Sequence, residues 1–263
     1  MYIIKIGGGA GINIDGVIDD LAELDIPTVI VLGANAVRDQ LALDLDKPKK
    51  VLTSVSGYSS VFSDKDAIDI IMMAYAGLRS KRVVERCQRN GINAIGLSGI
   101  DGRSVCGERN RGIRVREGSK NLIKRDFSGK PKSINTELLQ MLLGAGLTPV
   151  LTIPIVDEKG FAINSENDDI VNVLQDALQA EKIFQLIEAP GFLDDKDDES
   201  SMLPSLSRAE LSAREAQVEG RMKRKMLALT RLFEAGAAEV IIADGRVEHP
   251  IKEALAGKGT RIS

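Results

Sequence analysis

The strongest constraint on this chain is a unit it uses twice before residue 45: an apolar strand, a turn of small residues, then a helix. The first copy is Tyr2-Ile3-Ile4-Lys5-Ile6-Gly7-Gly8-Gly9, where a strand carrying a lysine near its end breaks into glycines. The second is Thr28-Val29-Ile30-Val31-Leu32, then Gly33-Ala34-Asn35, with a helix expected over residues 36–45. An uninterrupted apolar run of this kind is what a buried parallel strand requires. Two such turns at the C-terminal ends of neighbouring strands face one crevice. Backbone N–H groups without a Cβ beside them approach an anion closely, and a helix N-terminus adds a favourable dipole. Two familiar phosphate motifs are excluded. Lys5 precedes the glycines instead of following them, and Ile12 or Asn13 stands where Gly-x-Gly-x-x-Gly needs its third glycine. Taken alone, the stretch is either a phosphate cradle or a tight strand–helix turn with a solvated lysine.

The alternation continues down the chain. Asn13 or Asp15 caps a helix through Leu24, with Val17, Ile18, Leu21 and Leu24 on one face. Residues 47–63, rich in Lys, Pro, Ser and Gly, are expected to form a loop. Ser63 or Asp64 caps a long helix over residues 65–89, stopped by Asn90-Gly91. Strands are expected at 94–97, 148–153, 182–187 and 238–243, and helices at 135–145, 169–180, 208–218, 220–235 and 251–256. Strand and helix alternating in this way give an α/β fold with a largely parallel central sheet.

Function classes fall away on composition. Charge is high but balanced at net −3, unlike a general nucleic-acid binder or a disordered chain. No apolar run reaches the roughly 18 residues of a membrane span, and the first strand begins at residue 2, so a soluble cytoplasmic protein is expected. Cys87 and Cys106 have no Cys-x-x-Cys spacing and are expected to be small buried or half-buried hydrophobes. His249 is the sole histidine, which excludes a His-rich metal site and a Ser-His-Asp triad. The acidic tract 194–201 lacks the EF-hand spacing and is expected to be a solvated excursion. No protein-ligated metal is expected. Residues 103–132 are crowded with bases, including Arg109, Arg111, Arg114 and Arg116, and alternation at 113–116 suggests hairpin strands. They form a solvated flap or an electropositive surface for an acidic partner.

Lysine ammoniums and backbone amides stabilise the charge of a transferring phosphoryl group, which is most of what phosphoryl transfer asks of a protein. A carboxylate acceptor, with a pKa of about 4, is already ionised and needs no histidine base.

The order Lys5-x-Gly7-Gly8, a second strand ending in a glycine turn, Asn164-x-x-x-Asp168 and Gly220-x-Met222-x-x-Lys225 resembles the amino acid kinase family, in its acetylglutamate kinase branch. Residues 98–103, 220–225, 243–248 and 257–260 are similar to the kinases that act on amino acids attached to a LysW-type amino-group carrier protein. The resemblance covers essentially the whole chain. It implies a three-layer αβα sandwich in one domain spanning 1–263. Residues to about 156 form an N-lobe for the acceptor, with the dimer helix, and about 157–263 a C-lobe for ATP. It implies that Lys5 meets the transferring phosphoryl group from the acceptor side and Lys225 from the nucleotide side, with Asp168 orienting both. Gly7 and Gly8 belong to the nucleotide site, with Gly8 giving an N–H to phosphate. Gly33 and Ala34 give N–H groups to the acceptor carboxylate, and Asn164 holds the substrate's α-substituent end. Mg²⁺ rides on the ATP phosphates.

Two departures stand out. The family has His-Gly-Gly where this chain has Leu32-Gly33-Ala34, so Ala34 brings a Cβ into the turn. The family arginine that grips the α-carboxylate, in a pattern like Arg-x-Thr-Asp, is Val61 here. Either Lys65, Lys50 or another base compensates, or the substrate differs at that end, or activity is reduced.

The implied function is ATP-dependent phosphorylation of the side-chain carboxylate of carrier-linked α-aminoadipate or glutamate, in lysine or arginine biosynthesis. The partner is an acidic LysW-type carrier, and the assembly a homodimer. The alternatives are a kinase for free N-acetylglutamate and a catalytically impaired subunit that binds nucleotide or amino acid as a regulator.

Overall fold

Residues 28–32 are all buried, so this strand has no solvated face and must be covered on both sides. The structure, a computed structural model, shows how. It describes residues 1–53, 55, 59–117, 120–195, 197–217, 220–237 and 239–263, with backbone alone at 59, 60, 117, 216, 217 and 220–225.

The chain opens with β1 (Tyr2–Ile6), α1 (Ile14–Leu24), β2 (Thr28–Leu32) and α2 (Asn35–Asp44). Then come β3 (Val51–Thr53), β4 (Ser59–Val61) and α3 (Lys65–Ile71), which passes through a π-helical segment, Met72–Arg79, into α4 (Ser80–Arg89). The middle holds β5 (Ala94–Ser98), β6 (Val105–Arg109), β7 (Ile113–Glu117), β8 (Lys120–Lys124), β9 (Gly129–Ile134), α5 (Thr136–Gly144), β10 (Thr148–Thr152), β11 (Ile155–Val156) and β12 (Ala162–Ile163). The C-terminal part holds α6 (Asn167–Leu178), β13 (Lys182–Ile187), β14 (Phe192–Leu193), β15 (Met202–Leu203), β16 (Ser205–Leu206), α7 (Arg208–Gln217), α8 (Gly220–Glu234), β17 (Val240–Asp244), α9 (Pro250–Leu255) and β18 (Thr260–Ile262).

Among the described residues the central sheet has eight strands, ordered β16-β18-β17-β13-β1-β2-β10-β5. It is parallel except where β18 runs antiparallel to β17. Alternation along the strands divides the core into two layers. Ile3, Val29, Val31 and Ile183 pack with α3, α5, α6, α7 and α8. Tyr2, Ile4, Ile6, Ile30, Leu32, Phe184 and Leu186 pack with α1, α4 and α9. The result is the expected three-layer α/β sandwich. Cys87 is buried and Cys106 half-buried, with both thiols free. No described helix is long and apolar enough to cross a membrane.

Some expectations need correction. The 47–63 segment contains the antiparallel pair β3–β4 rather than loop alone; residues 54 and 56–58 lie outside the description. Asn13 and Asp64 are the working caps, accepting from the Gly16 and Ala67 amides respectively. His249 lies in the connection after β17. It precedes α9 with Nδ1 2.8 Å from the fully buried Asp20 carboxylate, which also accepts the Ile251 and Lys252 amides. The acidic tract is partly tied down, through Asp194 to Arg214 and Glu199 to Arg246.

Candidate functional site

Register builds the site. Ile6 of β1 lies opposite Leu32 of β2 and Leu186 of β13, so the three strands end at one level. The residues that follow, 7–9, 33–35 and 188, therefore share one edge, the C-terminal edge where α/β sheets bind ligands.

The two small-residue turns are pressed together. A Cβ on Gly8 would fall 2.5 Å from the Asn35 nitrogen and 2.7 Å from the Ala34 nitrogen. A Cβ on Gly33 would fall 2.6 Å from the Gly8 nitrogen. Both positions must be glycine, because the two backbones, with the amide nitrogens of residues 8, 34 and 35, lie too close together for a side chain between them. Ala34 and Asn35, the cap and first residue of α2, stand at the N-terminus of a ten-residue helix, where negative charge is favoured. Gly7 anchors the first turn by donating its N–H to the Leu186 carbonyl at 2.9 Å. Ala34 resolves the first departure. It is buried and its φ is negative, −148°, so its Cβ does not meet the penalty of a left-handed backbone.

Lys5 shares the β1 face of Ile3, under α6. Its Nζ lies 2.6 Å from Asp168 Oδ1, the lysine side chain 13% exposed and the carboxylate 28%. Asp168 is not the cap of α6; Glu166 holds that position, and Asp168 sits in the first turn. Next to it, burial holds the Asp169 carboxyl above the ordinary range, opposed by Lys130 and Arg231. Asn167 donates from Nδ2 to the Leu32 carbonyl at 3.3 Å, fixing the start of α6 to the end of β2.

Asn164, four residues before Asp168, donates from Nδ2 to Ser63 Oγ at 3.0 Å. Ser63 is buried, and its N–H donates to Asp126 Oδ2 at 3.1 Å. Asn164 thereby joins the segment 61–64 to the C-terminal half. Val61 lines a separate cavity of about 380 Å³ with Phe62, Arg38, Asp39, Lys50 and Asp64. Its cations are paired: Arg38 and Lys49 with Asp39, and Lys50 with Asp64 at 2.8 Å. Lys50, offered as a replacement for the family arginine, is thus held by the carboxylate that caps α3. The structure places Lys225 in α8, but its side chain lies outside the described residues.

Several site residues were not anticipated from sequence. Tyr75, buried on the π-helical segment, donates to Asn35 Oδ1 at 2.5 Å, and burial pushes its phenol up to about 12. Glu188, directly after β13, accepts the Gly11 N–H at 2.6 Å. A residue at the C-terminal end of a central strand was the available signal for Glu188. No group of three His, Cys, Asp or Glu side chains among the described residues is arranged to hold a metal.

A lysine–carboxylate pair beside two interlocked glycine turns is an arrangement for phosphoryl groups, and the profile of the amino acid kinase family matches residues 1–244. The chain belongs to the amino acid kinase family. It is 38% identical to LysW-aminoadipate kinase of Deinococcus radiodurans, across 100% of this chain and 91% of that protein. It is 37% identical to the protein of the same name from Thermus thermophilus, with both covered in full. Among solved structures, Giardia carbamate kinase shares the fold, with a TM-score of 0.68, 13% identity, and 99% and 97% of the two chains covered.

Proposed function

We propose that this amino acid kinase transfers the γ-phosphoryl group of ATP to the side-chain carboxylate of α-aminoadipate, or glutamate, attached through its amino group to an acidic LysW-type carrier protein, in lysine or arginine biosynthesis. The observation that carries the phosphoryl-transfer reading is Lys5, fixed by Asp168 at 2.6 Å beside the Gly8 and Gly33 turns. The likeness to the Deinococcus and Thermus kinases supports the choice of acceptor.

The chemistry needs little from the protein beyond position and charge. One oxygen of the ionised acceptor carboxylate attacks the γ-phosphorus. The bond from that phosphorus to the β,γ-bridging oxygen breaks, and ADP leaves with the electron pair. The product is an acyl phosphate, and no proton has to be removed from the acceptor. Lys5 offsets the charge spread over the phosphoryl oxygens from the acceptor side. Lys225 does so from the nucleotide side, and Asp168 orients the lysines. The amides of Gly8, Gly33 and Ala34 serve the phosphate and the acceptor carboxylate. The close approach of the amide nitrogens of residues 8, 34 and 35 at the two required glycines supports this assignment. Magnesium, when bound, supplies positive charge to the phosphates.

On this reading residues to about 156 serve the acceptor and about 157–263 serve ATP. The helix over residues 65–89 carries a homodimer contact, supported by Met73 and Leu78, which are exposed on its π-helical segment.

The basic flap supports a carrier-borne substrate. The β7–β8 hairpin presents Arg114, Arg116 and Lys120 to solvent together with Leu122 and Ile123, and Arg111 is exposed just before it. It is joined to the β3–β4 segment by the Val55 N–H, which donates to the Arg114 carbonyl at 2.8 Å. Positive charge therefore stands beside the acceptor side. Arg109 is engaged elsewhere, stacking 4.0 Å over Phe127 and donating to the Asp126 carbonyl.

Trapping the acyl phosphate with hydroxylamine tests the function. Hydroxamate is expected with carrier-linked aminoadipate or glutamate and not with free N-acetylglutamate. Hydroxamate from free N-acetylglutamate alone would replace the carrier-linked reading. None from any acceptor would make the chain a non-catalytic binding protein.

A further inference from the structure

The cavity beside Val61 holds a guanidinium that its own acids do not fully occupy. It encloses about 380 Å³ between α2, residues 46–50 and the start of α3. Three of its cations have a carboxylate each: Lys47 pairs with Asp66, Lys50 with Asp64 and Lys49 with Asp39. Arg38 has none to itself. It shares Asp39 with Lys49, and its Nε and Nη2 both donate to one oxygen, Oδ1, at 2.9 and 2.7 Å. Two cations on one carboxylate leave a positive charge over. The remaining acid of the lining, Asp46, is exposed.

Arg38 is also the most shielded of these bases, its side chain 15% exposed against 47% to 69% for the three lysines. A guanidinium presents its N–H donors in a planar fork suited to two-pronged contact with a carboxylate. Asp39 takes one edge of that fork. Nη1 has no partner among the described residues, so the end of the fork is open. Val61 and Phe62 line the same cavity with apolar side chains, and Asp64 is engaged by Lys50 and the Ala67 amide.

Position ties Arg38 to the second glycine turn. Its N–H donates to the Ala34 carbonyl at 2.9 Å, which places it one helix turn on, about 6 Å along the axis. Helix side chains lean toward the N-terminus, so the guanidinium is carried back toward that turn. The Tyr75 hydroxyl, bonded there to Asn35, lies within its field: burial raises the phenol, and the Arg38 charge opposes the rise.

We propose that Arg38 binds the second carboxylate of the acceptor, the one beside the amino group that the carrier masks, and so selects acceptors that possess it; the inference rests on the kinase reading above. With the reacting carboxylate on the Ala34 amide, a short dicarboxylic chain extends along α2 into the cavity, where the free end of the guanidinium fork meets its other end. Arg38 is then a specificity-determining residue for the acceptor, and it stands on α2 instead of in the segment 61–64.

Hydroxamate kinetics of the full-length protein with two carrier-linked acceptors test this. One is aminoadipate and the other δ-aminovalerate, which is aminoadipate without the second carboxylate. Wild type is expected to favour aminoadipate in kcat/KM by about ten- to a hundredfold, the size of a charge-assisted pair. Arg38→Met should lower kcat/KM for aminoadipate by a similar factor, mostly through KM, and leave δ-aminovalerate unchanged, so that the preference disappears. Arg38→Lys, which keeps the charge but loses the fork, should fall between. Wild type that treats the two acceptors alike, or a preference that survives intact in Arg38→Met and Arg38→Lys, overturns the proposal and leaves the kinase reading standing. No hydroxamate from wild type with either acceptor overturns the carrier-linked kinase reading, and the proposal with it.

Discussion

Lys5 Nζ stands 2.6 Å from Asp168 Oδ1, joining the first strand of the chain to the first turn of α6. Neither group is fully buried, so the pair contributes little to folding. Its value is positional, since it keeps an ammonium aimed at the edge where both glycine turns end. Lys5→Met is expected to lower kcat by about 10²–10³ with a melting temperature close to wild type. Asp168→Asn, which keeps the shape but frees the lysine, should lower kcat less. Hydroxamate kinetics and a thermal melt check both. A kcat within a factor of about two of wild type for Lys5→Met would remove the lysine from the chemistry.

The glycine turns give a prediction in stability. A Cβ on Gly8 meets backbone nitrogens that cannot move without shifting α2, whereas one on Gly9 meets the end of a flexible, exposed Glu side chain. Gly8→Ala should therefore cost about 1–3 kcal/mol, and Gly9→Ala distinctly less. Urea denaturation midpoints of the two variants make the comparison. Equal losses would mean that the turns are not interlocked as described.

The alternation of apolar strands and amphipathic helices was legible because buried parallel strands leave long apolar runs, as at 28–32 and 182–187. The pairing of Lys5 with Asp168 and the approach of Gly8 to Gly33 were legible only through the resemblance to the family, since a glycine turn after a strand serves equally as a tight strand–helix turn. Other features had no local signal. The three-residue strands β3 and β4 are built from residues that equally make loops. The π-helical segment that brings Tyr75 to Asn35 depends on packing rather than on a pattern. Glu188 reaches Gly11 across 177 residues, a contact readable only once β1 and β13 are known to be neighbours. The mixed-charge cavity beside Val61 also needs α2, α3 and residues 46–50 in place together.

The same Tyr75 predicts a pH dependence. Burial raises its folded phenol to about 12 from an ordinary 10, so the folded state keeps its proton while the unfolded state loses it. The stability this gives is fully present below pH 10 and is lost as pH rises through 12, on the order of 3 kcal/mol in all. Tyr75→Phe should remove that pH dependence while losing the hydrogen bond to Asn35. Ultraviolet titration of tyrosinate should show one phenol ionising about two pH units late in wild type and absent from the variant. An ordinary titration of every phenol in wild type would contradict the burial of Tyr75.

The β7–β8 hairpin predicts how a carrier finds the enzyme. Arg114 and Arg116 are exposed, alternate along β7, and form no ion pair among the described residues. Reversing both to Glu changes the local charge by four units without touching the core, because Val115 between them holds the buried position. Such a surface acts mainly on association rate, which falls as salt screens it. Arg114→Glu with Arg116→Glu should therefore lower kcat/KM for carrier-linked substrate by about tenfold or more at low ionic strength, with kcat nearly unchanged. Raising the salt to several hundred millimolar should shrink the gap between variant and wild type, because the steering is then screened in both. A short acceptor without a carrier, if turned over at all, should be indifferent to the double substitution. Equal loss for carrier-linked and carrier-free acceptors would place these arginines in the fold or the active site instead of in docking.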